Sequence, residues 1–194
     1  LACSRPSTLI LNGYLFAHAG VFKDLITHVY KRNKDSNRAK IESIADINND
    51  IQKWLLDDRS DFDESYITSL LTTTKTSNIS PFWNRIYGMI KAGESLDSKA
   101  CSKHVKPVLE MLTLKGIVVG HTTQMKININ STCDDTVWRV DFAGSQAFDN
   151  TINKRSTKKD IEAIREGRKP QVLRITLGSK DTFTVINYDN MESV

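Results

Sequence analysis

The chain has 194 residues, a length typical of one domain or of one domain with an appendage. Hydrophobic residues make up 39% and charged residues 26%, so wholesale disorder is excluded. The formal charge is only +4 and the basic residues are scattered, which argues against nucleic acid as a partner. The longest apolar runs, such as 116–120, are too short to cross a bilayer, so no membrane partner is expected.

The three cysteines, Cys3, Cys101 and Cys133, are odd in number and far apart. This pattern excludes a disulfide framework and predicts a reducing, cytoplasmic environment. The chain opens with Leu1 rather than Met and soon enters the apolar stretch 9–11. Native termini are usually polar and loose, so we expect the chain to begin partway through a domain.

The first third of the chain changes from strand patterns to helix patterns. An Asn12-Gly13 turn signal within 8–19 predicts a β-hairpin whose second strand covers 14–18. Apolar residues at three- and four-residue spacing between 41 and 55 predict an amphipathic helix. The acidic stretch 57–64 is typical of a turn, a second helix is expected over 64–71, and 72–78 has the composition of a loop.

The remaining elements return to strands. A helix is predicted over 105–114 with Pro107 in its first turn, and a short helix over 157–166 capped by Thr157. Strands are predicted at 116–120, 125–129 and 137–142, and an antiparallel pair at 171–177 and 182–187. A sheet interrupted by a largely helical stretch of about ninety residues indicates the α+β class.

Two of the four histidines follow apolar strands. His18 ends one such strand among small residues, and His121 follows another directly after Gly120; ligand sites gather at strand ends in layered α/β proteins. Neutral imidazole is a common ligand of zinc, manganese and iron, so a metal site is one interpretation. The other is that both are structural histidines with satisfied hydrogen bonds. His28 and His104 lie among charged residues and are predicted at the surface.

Two further polar residues stand in suggestive surroundings. Asp141 ends a predicted strand, where it could orient a metal ligand, although a structural hydrogen bond is the favoured interpretation. Arg85 follows Phe82 and Trp83, and a guanidinium among aromatic residues can present a rigid fork to a phosphate. The alternative is that Arg85 pairs with a surface carboxylate while both aromatic side chains fill the core.

The order of five segments carries a family resemblance. The segments FAHAG (16–20), FWNRIY (82–87), VVGHTTQ (118–124), RVDFAGSQAF (139–148) and RKPQVLRI (168–175) occur in this order. Together they resemble the C-terminal half of a calcineurin-like metallophosphoesterase, and are most similar to the Shewanella-like branch of the phosphoprotein phosphatases. Two departures are Thr123, where the family often has proline, and Gly144, where it often has methionine.

The resemblance implies a fold and a boundary. It implies part of a four-layer metallophosphoesterase β-sandwich with flanking helices, in which residues 1–194 are the C-terminal part of one domain. The divergent helical stretch at about 22–78 would be an insert. The family's N-terminal motifs G-D-x-H-G, G-D-x-x-D-R-G and G-N-H-E are not among the 194 residues, so the N-terminal half of the domain is expected to be missing.

The resemblance also implies an activity. The complete enzyme would hydrolyse phosphomonoesters with two divalent metal ions (Mn, Fe or Zn), acting on a phosphorylated protein or a small phosphate ester. His18 and His121 would ligate the second metal, and Arg85 would bind the phosphate oxygens. Because the other ligands would come from the absent motifs, we expect residues 1–194 alone to be inactive.

Two alternatives remain open. One is a shortened, inactive relative that acts as a binding module, and a weaker one is a nucleic-acid module based on Lys154, Arg155, Lys158 and Lys159. The stretches 9–11 and 117–119 have the composition of strands buried on both faces, which favours the fragment of an enzyme. Substrate, metal identity and oligomeric state stay open.

Overall fold

A computed structural model describes residues 4–32, 38–58, 63–72, 79–148, 157–158, 161–162, 164 and 169–187. The fold is mixed α+β, as the sequence predicts. The strands are β1 (Thr8–Leu11), β2 (Tyr14–Ala17), β3 (Gly116–Val119), β4 (Asn130–Thr132), β5 (Val137–Arg139), β6 (Gln171–Thr176) and β7 (Thr182–Asn187). The helices are α1 (Lys23–Arg32), α2 (Ser43–Leu55), α3 (Glu64–Leu71), α4 (Ile86–Met89), α5 (Lys99–His104) and α6 (Lys106–Leu112).

Five strands form one mixed sheet in the order β1-β2-β3-β5-β4. The three central strands β2, β3 and β5 run parallel, and the edge strands β1 and β4 are antiparallel to their neighbours. The β1–β2 hairpin turns at Asn12 and Gly13, whose φ angles of 51° and 85° suit the two-residue turn that the sequence predicts. Since the parallel strands share a direction, their carboxyl ends meet at one edge of the sheet.

The helices cover one face of this sheet. Leu15, Ile117 and Val137 point into an apolar core, where Leu25 of α1 and Ile47 of α2 are also fully buried. β3 is buried along its whole length, as predicted for a strand with both faces covered. This core fixes the parallel strands on which the candidate site is built.

The β6–β7 hairpin covers the opposite face. Trp138 stacks on Phe183, with ring centroids 4.9 Å apart, within a smaller apolar cluster. At the amino ends of β2 and β3, Asp181 accepts hydrogen bonds from the Tyr14 hydroxyl (2.8 Å) and the Lys115 ammonium (2.9 Å). We call Tyr14, Lys115 and Asp181 the amino-end latch, because they join the hairpin to the sheet.

The helical stretch has its own polar core. Buried Asp50 on α2 pairs with Arg32 of α1 and accepts the Tyr66 hydroxyl of α3 at 3.0 Å. The Arg32 guanidinium lies 4.6 Å from the centre of the Tyr66 ring, within the range of a cation–π contact. Three helices are therefore held together by one carboxylate.

Two strand predictions are wrong. The stretch 125–129 is not a strand, because the N–H groups of Ile127 and Asn128 both donate to the Gln124 carbonyl and close a turn. The strand begins instead at Asn130. The stretch 9–11 is not buried on both faces: Leu9 and Leu11 are 46% and 55% exposed, since β1 is an edge strand and its second face lies outside the cover of the hairpin.

The sequence argument against a disulfide framework missed one disulfide. Cys101 of α5 and Cys133, in the turn between β4 and β5, form a disulfide, and both are fully buried. The 32-residue separation hides this contact, because only the packing of α5 against that turn brings the sulfur atoms together. Because two of the three cysteines are joined, the cysteine pattern does not support the inference of a reducing environment.

Some expectations fall partly on residues that are not described. Within the predicted helix 157–166, residues 158, 161, 162 and 164 are helical, and the other helix positions lie outside the described residues. Of the predicted loop 72–78, only Thr72 is described. Across the described ranges, no helix combines the length and the apolar character that a membrane span requires.

Candidate functional site

The candidate site lies where the three parallel strands end. Ala17 pairs with Val119, and Val119 pairs with Arg139, so the residues that follow each strand are neighbours. The Gly120 N–H donates to the His18 carbonyl at 2.8 Å and continues the β2–β3 ladder by one step. This edge therefore brings His18, His121 and Asp141 together from three separate stretches of sequence.

The two predicted strand-end histidines face each other. His18 Nε2 lies 3.0 Å from His121 Nδ1, and the ring centroids are 4.9 Å apart. His121 has a φ of +61°, and the Thr122 N–H returns to the Gly120 carbonyl at 2.7 Å, so the chain turns sharply directly after the strand. That turn places the His121 ring against a residue 103 positions earlier in the chain.

The electrostatic surroundings favour a neutral His121. Burial lowers its pKa below the ordinary histidine value, and the neighbouring Arg85 and His18 side chains lower it further. The Trp83 main chain and the Asp141 carboxylate act in the opposite direction. His121 Nε2 is buried and has no hydrogen-bond partner among the described residues. A neutral imidazole keeps a lone pair that can bind a metal ion.

A rigid segment carries Trp83 and Arg85 to the same place. The Ala19 N–H donates to the Pro81 carbonyl at 2.7 Å, which ties this segment to the loop after β2. Asn84 is buried, and its side-chain oxygen accepts the Ile86 N–H at 2.8 Å. The Ala19–Pro81 bond therefore ties residues 81–86 to the residue after His18, and the Asn84 bond holds the local shape of the segment.

The exposed side chains of Trp83 and Arg85 do not follow the alternative in which Trp83 fills the core and Arg85 pairs with a surface carboxylate. Trp83 does not fill the core: it is 54% exposed and its ring stands edge-on to His121, with centroids 5.6 Å apart. Phe82, in contrast, packs against the main core. Arg85 is exposed and forms no ion pair with any residue that the structure describes, so its fork is available to an anion.

Asp141 is half-buried and has structural partners. Its Oδ1 accepts the Ala143 N–H at 3.1 Å, and its carbonyl accepts the Gln124 N–H at 2.7 Å. These bonds fix the chain after β5 beside the loop that follows His121. They agree with the interpretation of Asp141 as a structural hydrogen-bonding residue, and a role in orienting a metal ligand stays a prediction.

His28 and His104 lie away from this edge. His28 is exposed on α1 and stacks on the Tyr66 ring at 4.9 Å between centroids, as expected of a surface residue. His104 is half-buried at the end of α5, and burial lowers its pKa. Neither reaches the pair formed by His18 and His121.

Sequence reasoning missed the residues that hold the site together. Arg139 is 2% exposed and donates to the carbonyl oxygens of Gly88 and Ile90. Gly88 also packs so closely on Thr122 that a β-carbon would overlap it. One signal was available. Arg139 and Trp138 are adjacent in β5 and so face opposite sides of the sheet. Because both sides are covered, one of the two faces must bury Arg139.

The histidine pair fits one metal ion as two of its ligands. Two imidazole nitrogens bound at about 2.1 Å to one ion lie about 3.0 to 3.4 Å apart, depending on its geometry, and the observed separation of 3.0 Å falls within that range. A neutral His121 ring with its proton on Nε2 would keep a lone pair on Nδ1 for the same role. Within the described ranges, no group of three or more histidine, cysteine, aspartate or glutamate residues is placed to hold an ion.

Comparison with known proteins gives a relative but no activity. The chain is 40% identical over 171 residues to an uncharacterized protein, R398, of Acanthamoeba polyphaga mimivirus. The match covers 84% of this chain and 65% of the relative, so the chain spans somewhat less than two thirds of that protein's length. No protein-family profile matches the chain.

Two solved structures are similar at a lower level. They are a cold-active protein tyrosine phosphatase of a psychrophilic Shewanella species and a point mutant of a cold-active protein tyrosine phosphatase, at 18% and 17% identity. Each similarity has a TM-score of 0.46 and covers 72% of this chain and 34% of the solved one. At this level neither comparison carries an inference about fold or activity.

Proposed function

We propose that the complete protein is a metal-dependent phosphomonoesterase, with a phosphorylated protein as its leading substrate class, and that residues 1–194 form the C-terminal part of its catalytic domain. The observation that carries the proposal is the convergence of His18, Arg85 and His121 at one sheet edge. Two imidazoles and a guanidinium that has no ion pair among the described residues are suited to a metal and a phosphate side by side.

Each of these residues has a distinct task. The facing nitrogens of His18 and His121 would hold one divalent ion (Mn, Fe or Zn) of the expected two. When bound, the ions lower the pKa of a water molecule and neutralise charge on the phosphoryl group. Arg85 would bind two phosphate oxygens with its fork, which costs little because no carboxylate in the described residues has to be displaced.

The proposal requires ligands from outside these 194 residues. The described part of the chain offers two imidazoles at the site, and the other family motifs are not in the sequence. The viral relative is longer than the region it shares with this chain, which is compatible with a further segment in such proteins. We therefore expect residues 1–194 alone to be inactive and the complete protein to be active.

The test is hydrolysis of p-nitrophenyl phosphate by the complete protein and by residues 1–194, each with Mn²⁺, Fe²⁺ or Zn²⁺ and with a chelator. We expect chelator-sensitive hydrolysis by the complete protein only. In that protein, His18→Ala and His121→Ala should lower metal content and activity, and Arg85→Ala should raise KM for the ester with little change in bound metal.

Matched control variants separate these effects from a general loss of folding. His28→Ala removes an exposed histidine on α1, and Arg174→Ala removes an exposed arginine on β6; neither should change activity. Robust metal-dependent hydrolysis by residues 1–194 would overturn the expectation that further metal ligands come from outside these residues. A complete protein that is folded, metal-loaded and inactive on phosphate esters would favour the alternative, an inactive relative that acts as a binding module.

A further inference from the structure

Arg139 is a buried cation without a counter-ion in the described structure. It is 2% exposed, and its guanidinium meets only neutral acceptors: the carbonyl oxygens of Gly88 and Ile90 and the side-chain oxygen of Asn130. Its Nε is buried without a hydrogen-bond partner there. Burying an unpaired charge is costly, and an apolar side chain of similar volume would fill the space more cheaply. The fork must therefore contribute something that an apolar side chain cannot.

The acceptors show what the fork holds. Gly88 and Ile90 lie at the carboxyl end of the short helix α4, and Arg85 immediately precedes that helix. The Met89 N–H donates to the Arg85 carbonyl at 3.0 Å, so a displacement of the helix would displace Arg85 as well. Arg139 itself ends β5, next to the strand that leads to His121.

Other contacts converge on the same helix from the loop after β3. Gln124 Nε2 donates to the Gly88 carbonyl at 3.1 Å and to the Thr122 carbonyl at 2.9 Å. Gly88 lies directly against the Thr122 side chain. Arg139 is the one charged member of this set, and its two terminal nitrogens reach α4 and β4 at the same time.

We propose that Arg139 is a positioning residue: it holds α4 against the carboxyl ends of β3 and β5 and so sets the distance between Arg85 and the histidine pair at which a phosphate ester binds. The inference rests on the proposed function, in which Arg85 contacts the phosphate. It assigns to Arg139 a role through geometry, since it is buried and does not reach solvent.

The test measures binding of inorganic phosphate to the metal-loaded complete protein, by calorimetry or as competitive inhibition. Arg139→Met should bind phosphate about tenfold more weakly and raise KM, with metal content and kcat nearly unchanged. Arg139→Lys keeps the charge but loses the fork, so its affinity should also fall. Arg174→Met, on the exposed face of β6, is the control and should bind like the wild type.

A double-mutant cycle with Arg85→Ala separates positioning from general stability. If Arg139 acts through Arg85, Arg139→Met should cause no further loss of phosphate affinity once Arg85 is removed. An equal loss in both backgrounds would overturn the inference, as would a variant that melts earlier but binds phosphate like the wild type. If Arg139→Met does not fold, Arg139→Lys carries the same cycle. A wild-type protein that binds no phosphate would end the proposed function, and this inference with it.

Discussion

The two ends of the parallel strands β2, β3 and β5 differ in how their polar groups are satisfied. At the amino ends, Asp181 accepts hydrogen bonds from Tyr14 and Lys115 and from the Gly178 N–H, and a disulfide joins α5 to the turn before β5. At the carboxyl ends, His18 and His121 meet without a carboxylate partner, and His121 Nε2 is buried and unpaired within the described structure.

This difference separates groups that stabilise the fold from groups that are available to a ligand. A buried polar atom without a partner costs free energy, and the fold keeps one at the carboxyl edge, in the ring whose other nitrogen faces His18. The main chain beneath the histidines is nevertheless rigid, because Ala19, Gly120 and Val140 all continue hydrogen-bonded contacts there. The carboxyl edge thus combines a well-determined backbone with unsatisfied side chains.

The largest effect should come from Gly20, which supports the rigid backbone of the carboxyl edge. Gly20 has a φ of +118°, and a β-carbon there would overlap the fully buried ring of Tyr87. We expect Gly20→Ala to lower the free energy of unfolding by about 3 kcal/mol, measured in urea. Gly93→Ala is the control, because Gly93 also has positive φ but no atom within 4 Å of its β-carbon position. An equal loss in both variants would mean that crowding by Tyr87 is unimportant.

An effect of similar size should appear at the amino ends. Replacing both disulfide cysteines (Cys101→Ala with Cys133→Ala) should lower the free energy of unfolding by about 3 kcal/mol, because the bond closes a loop of 32 residues in the unfolded chain. Urea unfolding of the wild type with and without a dithiol reductant gives an independent measurement. A wild type that is equally stable in both conditions would show that the cysteines are not joined in solution.

A smaller effect is expected from the amino-end latch. Tyr14→Phe removes the hydroxyl that donates to Asp181 at 2.8 Å but keeps the ring packed edge-on to Phe183. We expect a loss of about 1 kcal/mol at pH 7. Tyr30→Phe, on the half-buried side of α1, serves as a matched control. If both variants are equally stable, the Tyr14 hydroxyl adds nothing to the contacts that Lys115 and the apolar cluster make with the hairpin.

The latch also predicts sensitivity to acid. The Lys115 ammonium, the Gly178 N–H and the Tyr14 hydroxyl lower the pKa of Asp181 to about 2. A carboxylate with a lowered pKa in the folded state contributes stability above its ordinary pKa, and that contribution is lost as the pH falls toward 2. Asp181→Asn should flatten the pH dependence of unfolding between about pH 4 and pH 2. An unchanged slope would contradict the assignment of this pKa.

The smallest effect on stability should come from the histidines themselves. His18→Ala should change the free energy of unfolding by no more than about 0.5 kcal/mol, because the side chain is exposed and its only described polar contact is His121. The comparison between the two strand ends therefore predicts a smaller loss of stability for His18→Ala than for Tyr14→Phe in the amino-end latch. A loss of about 2 kcal/mol in urea would instead make the histidine pair a structural contact.

Local signals predicted local structure well. The Asn12-Gly13 hairpin, helix α3 over Glu64–Leu71 and the β6–β7 pair agree with their sequence patterns, because turn residues and apolar spacing act within a few positions. The strand-end argument also marked His18 and His121 as candidate site residues, and the ends of their two strands are neighbours in the sheet. Their role as metal ligands stays a prediction.

Contacts between distant residues could not be predicted in the same way. The Cys101–Cys133 bond, the exposure of Leu9 and the contact of Arg139 with α4 all depend on which strands are neighbours and which faces are covered. Trp83 illustrates the same limit, since an aromatic residue beside Phe82 has no local signal that distinguishes a core position from an exposed one.

The pairing of β2 with β3 has a consequence for the rate at which the protein folds. Leu15 pairs with Ile117, so the whole helical stretch lies in the loop that this parallel contact closes. Closing so long a loop carries a large entropic cost before the contact becomes favourable, and folds rich in such contacts form slowly. The helices between β2 and β3 rely on contacts between residues closer in sequence, such as those of Asp50 with Arg32 and Tyr66, and can form first. We therefore expect the histidine pair to form late in refolding, after most of the helical signal has been recovered.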